Sequence, residues 1–135
     1  MLAIPIPQTP NMLKLIAILV MSSTLSVAVE TDNGYLERDF PNTEAGANQL
    51  IEFAEKSVGE PEGGVRVVVG SLSDLNADEP VVKVLLASGI PHGLVSPSDI
   101  QASVTANGLT APSAKTVALA DEKRFGFLYR RQKNK

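Results

Sequence analysis

Hydrophobic and polar positions fall into a run, an alternation and a helical stripe before the chain is a third read. Leu15–Val29, read as LIAILVMSSTLSVAV, is the most apolar stretch. Seven consecutive apolar residues from Leu15 to Met21 are followed by a Ser/Thr break, and then Leu25, Val27 and Val29 alternate with small or polar residues. A short unbroken apolar run suits a strand buried on both faces, and alternation suits a strand buried on one. Thr31-Asp32-Asn33-Gly34 then supplies a turn, with Asn33-Gly34 the favoured hairpin dipeptide, and Tyr35, Leu36 and Phe40 read as a partner strand. Two other readings compete. Lys14 before the apolar run and Ser26-Val27-Ala28 after it imitate a secretory signal with a small-residue cleavage site. A membrane helix needs roughly 20 apolar residues, and Ser22, Ser23, Thr24 and Ser26 interrupt too early. A strand-and-hairpin pattern that begins inside the would-be signal favours folded protein.

Beyond Phe40 the period changes. Asn42-Thr43 predicts a helix N-cap with Glu44 in the first turn, where the helix dipole favours an acid. Ala45, Leu50, Ile51, Phe53 and Ala54 keep helical spacing to about Val58, where Gly59, Pro61, Gly63 and Gly64 stop it. Val65–Val69 is a second β-branched strand run. Pro80 opens a helix with Val81, Val82, Val84, Leu85 and Leu86 as its apolar residues, ended near Gly89. Ile90–Val95 predicts a strand, Ser96-Pro97-Ser98-Asp99 caps a helix over about Ile100–Thr105, and Asn107-Gly108 ends it. Ala114–Leu128 predicts a last helix. Two strands before the first helix and strand–helix alternation after it predict an α/β fold with a mixed sheet.

Composition narrows the function classes. The 135 residues suffice for one domain with a real core. No cysteine is present, which excludes disulfides, thiolate zinc sites and cysteine nucleophiles. Aromatic residues make up 4% with no tryptophan, too few for a stacking platform for single strands. The net charge of −3 divides unevenly, with about −7 over residues 1–120 and about +4 over 121–135. The acidic body is a poor partner for nucleic acid, whereas Lys123, Arg124, Arg130, Arg131, Lys133 and Lys135 can meet phosphate.

Candidate chemistry is sparse. Asp74, Asp78 and Glu79 share a loop but match no calcium-loop spacing. His92, the sole histidine, lies between Pro91 and Gly93 with no Ser–Asp pair to serve. Gly59–Gly64 is glycine-rich but carries Glu60, Pro61 and Glu62 and lacks a phosphate-loop lysine. Ser96, Ser98 and Ser103 read as cap chemistry.

The phrase Asp39-Phe40-Pro41-Asn42-Thr43-Glu44-Ala45-Gly46 before an amphipathic helix resembles the insertion-sequence one-hundred-and-ten transposase family, in its N-terminal RuvC-like, ribonuclease-H-type domain. Val65-Arg66-Val67-Val68-Val69 resembles its second catalytic strand. Leu85-Leu86-Ala87-Ser88-Gly89-Ile90-Pro91 and Leu94-Val95-Ser96-Pro97 resemble its helix end and later strand end. The resemblance spans roughly residues 15–120. It implies a ribonuclease-H-like (RuvC-like) mixed sheet with flanking helices. In that family four carboxylates hold Mg²⁺ for phosphodiester transfer. The matching positions here are Leu19 in the first strand, Gly70 after the second catalytic strand, and Ala114 and Val117 in the frame Ser113-Ala114-Lys115-Thr116-Val117-Ala118. None is an acid.

The expectation is therefore a disordered leader over 1–13, a RuvC-like domain over 14–120 without catalytic acids, and a basic helix end or tail over 121–135. The resemblance implies no enzyme activity and no cofactor, where the family would use Mg²⁺. Remaining partners are structured RNA or DNA at the basic end, an intact transposase, or a second copy, with no membrane and a cytoplasmic location. The alternative is a small secreted α/β protein with residues 1–28 as its signal peptide.

Overall fold

The computed structural model describes residues 14–59, 64–73, 75 and 78–121. Strand β1 (Lys14–Val20) is the centre of a five-stranded sheet. It pairs antiparallel with β2 (Thr24–Thr31) and parallel with β4 (Val65–Ser71). β2 pairs antiparallel with β3 (Gly34–Pro41), and β4 pairs parallel with β5 (His92–Val95). The order β3-β2-β1-β4-β5, antiparallel on one side of β1 and parallel on the other, makes the mixed sheet that the expected α/β fold requires.

Helices cover both faces, which is why β1 is buried from Leu15 to Val20 without alternation. Ile16, Ile18 and Val20 point into one core with α1 (Glu44–Val58) and α2 (Pro80–Ala87). Leu15, Ala17 and Leu19 point into the other, with Ile100 of α3 (Pro97–Ala106) and a helical segment over residues 114–121.

Three strands, rather than two, precede α1. The Ser22-Ser23 break turns the chain back, and the Met21 amide donates to the Thr24 carbonyl at 2.9 Å. Asn42 clamps this turn from outside, its Nδ2 donating to the Met21 carbonyl at 2.7 Å. The leader and the fourteen basic-end residues 122–135 lie outside the described residues, as do 60–63 and Asp74. Residues 14–28, which the signal-peptide alternative would remove, form β1 and the first half of β2.

The β2–β3 turn is centred one residue earlier than Asn33-Gly34. Thr31 and Gly34 form the last register pair, so Asp32 and Asn33 make the loop. Thr31 Oγ1 fixes it, donating to the Gly34 carbonyl and accepting from the Asn33 amide. Lys14 Nζ bonds Asp32 at 2.8 Å, and that hydrogen bond, then the ammonium charge, hold the Asp32 carboxyl below its ordinary value.

The joint from β3 to α1 is built tightly. Thr43 is the N-cap and its hydroxyl accepts from the Gly46 amide at 2.9 Å. Gly46 packs so closely on the Pro41 carbonyl that a Cβ there would overlap the backbone oxygen. The phrase that carries the family resemblance is, in space, this joint. The other helix starts follow their sequence signals, with Pro80 in the first turn of α2 and Ser96 capping α3 by accepting from the Asp99 amide.

Candidate functional site

Leu19 and Gly70 are register partners on adjacent parallel strands, near the strands' C-terminal ends. In an α/β sheet this edge is where ligands and metals are usually held. Both residues belong to the face that α3 and residues 114–121 cover, and Leu19, Ala114 and Val117 lie in one apolar cluster. A Cβ placed on Gly70 would stand 2.8 Å from Ile100 Cδ1 and 3.2 Å from Val117 Cγ2. Of the four positions that the resemblance marks, Gly70 thus lies beside Leu19 and Val117, and Ala114 shares the apolar cluster of Leu19 and Val117.

The place is buried and filled. Leu19 and Val117 are fully buried and Ala114 is 1% exposed. Ile100 and Val117 occupy the volume into which a side chain at position 70 would project. None of the four side chains offers an oxygen to a cation. The nearby buried hydroxyls are committed: Thr116 Oγ1 donates to the Ser113 carbonyl at 2.6 Å and accepts from its amide at 2.7 Å. Ser71 Oγ accepts from the Ser73 amide. A carboxylate introduced here would have to shed its water without a partner, a cost that close-packed aliphatic residues avoid. Among the described residues no three His, Asp or Glu side chains stand together in a way that would hold a metal ion.

The remaining sequence candidates are scattered. His92 opens β5, half-buried, and its Nδ1 bonds the Ile90 carbonyl at 3.1 Å. Asp78 is described and Glu79 is the N-cap of α2, without a side-chain cap bond, while Asp74 lies outside the described residues. Ser96 caps α3 as expected, whereas Ser103 is buried in its last turn and accepts from Asn107 Nδ2 through its carbonyl. Gly59 and Gly64 both have positive φ, at +69° and +89°, and serve the exit from α1 and the entry to β4. Lys123, Arg124, Arg130, Arg131, Lys133 and Lys135 lie outside the described residues.

Two features were not singled out from the sequence. One is an apolar groove of about 720 Å³ at the opposite, N-terminal edge of β1 and β4, walled by Ile16, Ile51, Val58, Val67 and Ile90. Its apolar walls are ordinary hydrophobics of strands, helix and loop, with Glu55, Lys56, Arg66 and His92 also lining it, and no local pattern distinguishes them. The other is a buried ion pair. Arg66 reaches Asp121 with two hydrogen bonds, Nε to Oδ2 at 3.2 Å and Nη2 to Oδ1 at 3.0 Å, and the Asp121 side chain is fully buried. Half a signal existed for this one: Arg66 is a lone charge inside Val-Arg-Val-Val-Val, whereas Asp121 opens the charged run Asp121-Glu122-Lys123-Arg124 and does not stand out.

No family model matches the chain, and no curated protein matches it. Among solved structures it is similar to the crystal structure of ROK hexokinase from Thermus thermophilus, at 19% identity and a TM-score of 0.44. The match covers 73% of this chain and 39% of that one, so the chain spans well under half of the enzyme it resembles. No helix among the described residues is long and apolar enough to cross a membrane.

Proposed function

We propose that this chain is a catalytically inactive domain derived from a RuvC-like transposase N-terminal domain, and that its remaining role is binding. The partners would be structured RNA or DNA, met by the basic residues between 123 and 135, or a protein such as an intact transposase or a second copy. One observation supports the reading. Leu19 and Gly70 are paired near the C-terminal ends of β1 and β4, Leu19, Ala114 and Val117 belong to one apolar cluster, and the space in front of Gly70 is filled by Ile100 and Val117. Two-metal phosphodiester chemistry needs carboxylate oxygens that clamp both ions, and carbon cannot replace them. The secreted alternative is disfavoured by position: removal of residues 1–28 would take away β1, the central strand that both cores rest on.

The test is a manganese titration of the full chain followed by amide NMR, with a parallel assay for Mg²⁺-dependent cleavage of branched and duplex DNA. The expected result is no saturable broadening at Leu19, Gly70, Ala114 or Val117 and no cleavage above background. Saturable broadening centred on those four residues, together with metal-dependent cleavage, would overturn the proposal.

A further inference from the structure

β3 is one edge of the sheet and the longer of the two, with eight residues against four in β5. It pairs with β2 through eight consecutive register partners without a bulge, and its one proline, Pro41, stands at its end. Among the described residues no strand pairs with its outer side. Edges of this length are usually blunted by a bulge, a proline or a covering element, because their unpaired N–H and C=O groups accept another strand. β3 carries charge instead, in the order Glu37-Arg38-Asp39.

Successive side chains of a strand point to opposite faces, so these three charges are divided between the two faces. Arg38 is on the α1 face, its guanidinium carbon 5.3 Å from the Phe40 ring centroid and 5.2 Å from that of Phe53. The two rings hold the cation in place, and among the described residues no carboxylate lies within ion-pair distance of it. Arg38 and Lys56 share a shallow hollow of about 380 Å³ with Gln49 and Glu52, and the balance of charge there is positive. Glu37 and Asp39 are exposed on the other face, beside Ala28 and Ser26 of β2.

We infer that the outer edge of β3 docks an extended peptide of another protein, added as a further antiparallel strand, with a basic-acidic-basic triplet set against Glu37-Arg38-Asp39. Directly opposed residues share a face, so the central acid meets Arg38 while the flanking bases meet Glu37 and Asp39. Arg38 is the anchor. It is already positioned by Phe40 and Phe53, and a two-point bond from a guanidinium to a carboxylate gives direction as well as affinity. Main-chain hydrogen bonds along the edge supply the rest. A second copy fits less well. In a two-fold antiparallel pair, registers centred on the triplet set Glu37 against Glu37, Arg38 against Arg38, or Asp39 against Asp39, and like charges directly opposed are unfavourable. The inference does not rest on the reading under Proposed function, since the edge and its charges are the same whether or not the domain once reacted.

Amide NMR of the full chain, titrated with the synthetic peptide Thr-Val-Lys-Glu-Lys-Val-Thr, tests it. Saturable shifts centred on residues 35–40 are expected at peptide concentrations up to about 1 mM, the affinity of a single short strand. Lysine in place of the peptide's glutamate is expected to weaken binding about tenfold, and so is Arg38→Glu with the original peptide. Combining Arg38→Glu with the lysine-centred peptide is expected to recover most of that loss. A peptide N-methylated at the residues whose amides face β3 is expected not to bind, which separates strand addition from attraction between charges. No saturable shift, shifts centred outside β3, equal binding of the N-methylated peptide, or no recovery in the charge swap would overturn the inference. So would shifts at 35–40 that depend on the concentration of the chain alone, which would give the edge to a second copy. Only alternate amides of an edge strand bond to its neighbour, so slow exchange of every amide from 35 to 40 in the free chain would give the edge to another segment of this chain and overturn the inference as well.

Discussion

At the scale of single residues, the filled site makes a quantitative statement. Gly70 is the smallest side chain at a position flanked by Ile100 and Val117, and its nearest would-be contact is the terminal methyl of Ile100. Gly70→Ala is expected to cost about 1 kcal/mol, the lower end of what one extra methyl costs in a packed core. Ile100→Val removes the opposing Cδ1 and is expected to cost about 1 kcal/mol by itself. The two changes should be less than additive, since the second makes room for the first, and urea unfolding of the four proteins in a double-mutant cycle measures the coupling. Strict additivity would mean that Ile100 does not fill the space in front of position 70. Leu19→Asp is a different case. A carboxylate at a fully buried position among Leu15, Ala17 and Val68 sheds its water without compensation, so an acid placed there alone harms the fold before it offers a metal ligand.

Among elements, the boundaries that local chemistry writes are legible and the rest are not. Thr43 capping α1, Pro80 in the first turn of α2 and Ser96 capping α3 can be found without a structure, because each satisfies or spares an amide of the helix it starts. The division of Leu15–Val29 into β1 and β2 is not written locally. Met21-Ser22-Ser23 contains neither glycine nor proline, and its turn is held by Asn42, some twenty residues away. Similarly, the hairpin turn is centred on Asp32-Asn33 because Thr31 bonds across it, which outweighs the statistical preference for Asn33-Gly34. The joint between β3 and α1 supplies a direct comparison of two local effects. Thr43→Ala removes one cap hydrogen bond and is expected to cost about 1 kcal/mol. Gly46→Ala drives a methyl into the Pro41 carbonyl and is expected to cost about 3 kcal/mol or more, because backbone on both sides has to move. Thermal or urea unfolding ranks them, and a Gly46→Ala change milder than Thr43→Ala would show that the joint yields.

For the molecule as a whole, the alternation of strands and helices made the layered α/β fold legible, whereas the packing of Leu19, Ala114 and Val117 into one apolar cluster has no local signal. Aliphatic or small residues have no chemical signature of their own, and a groove such as that under α1 exists only once distant segments meet. Charge is the property that sequence reports directly, and it yields the whole-molecule prediction. If the basic end is a nucleic-acid contact, affinity for duplex DNA or structured RNA falls with salt by roughly one unit of log affinity per log salt for each residue engaged. Alanine at Lys123, Arg124, Arg130, Arg131, Lys133 and Lys135 together should flatten that slope, and an unchanged slope in a filter-binding series would remove the basic end from the list of contacts.

The Pro41–Gly46 joint has a consequence for how such a chain can drift. A requirement to fold and a requirement to react are separate filters on the same residues. Pro41, Thr43 and Gly46 answer to the first, since any side chain at position 46 meets backbone. In the proposed reading positions 19, 70, 114 and 117 once answered to both, and without the requirement to react, aliphatic or small residues there are the better core. A domain under selection for folding alone would therefore hold on to its recognisable phrase long after its acids had gone, and motif searches anchored on such a joint would gather working and silent copies alike.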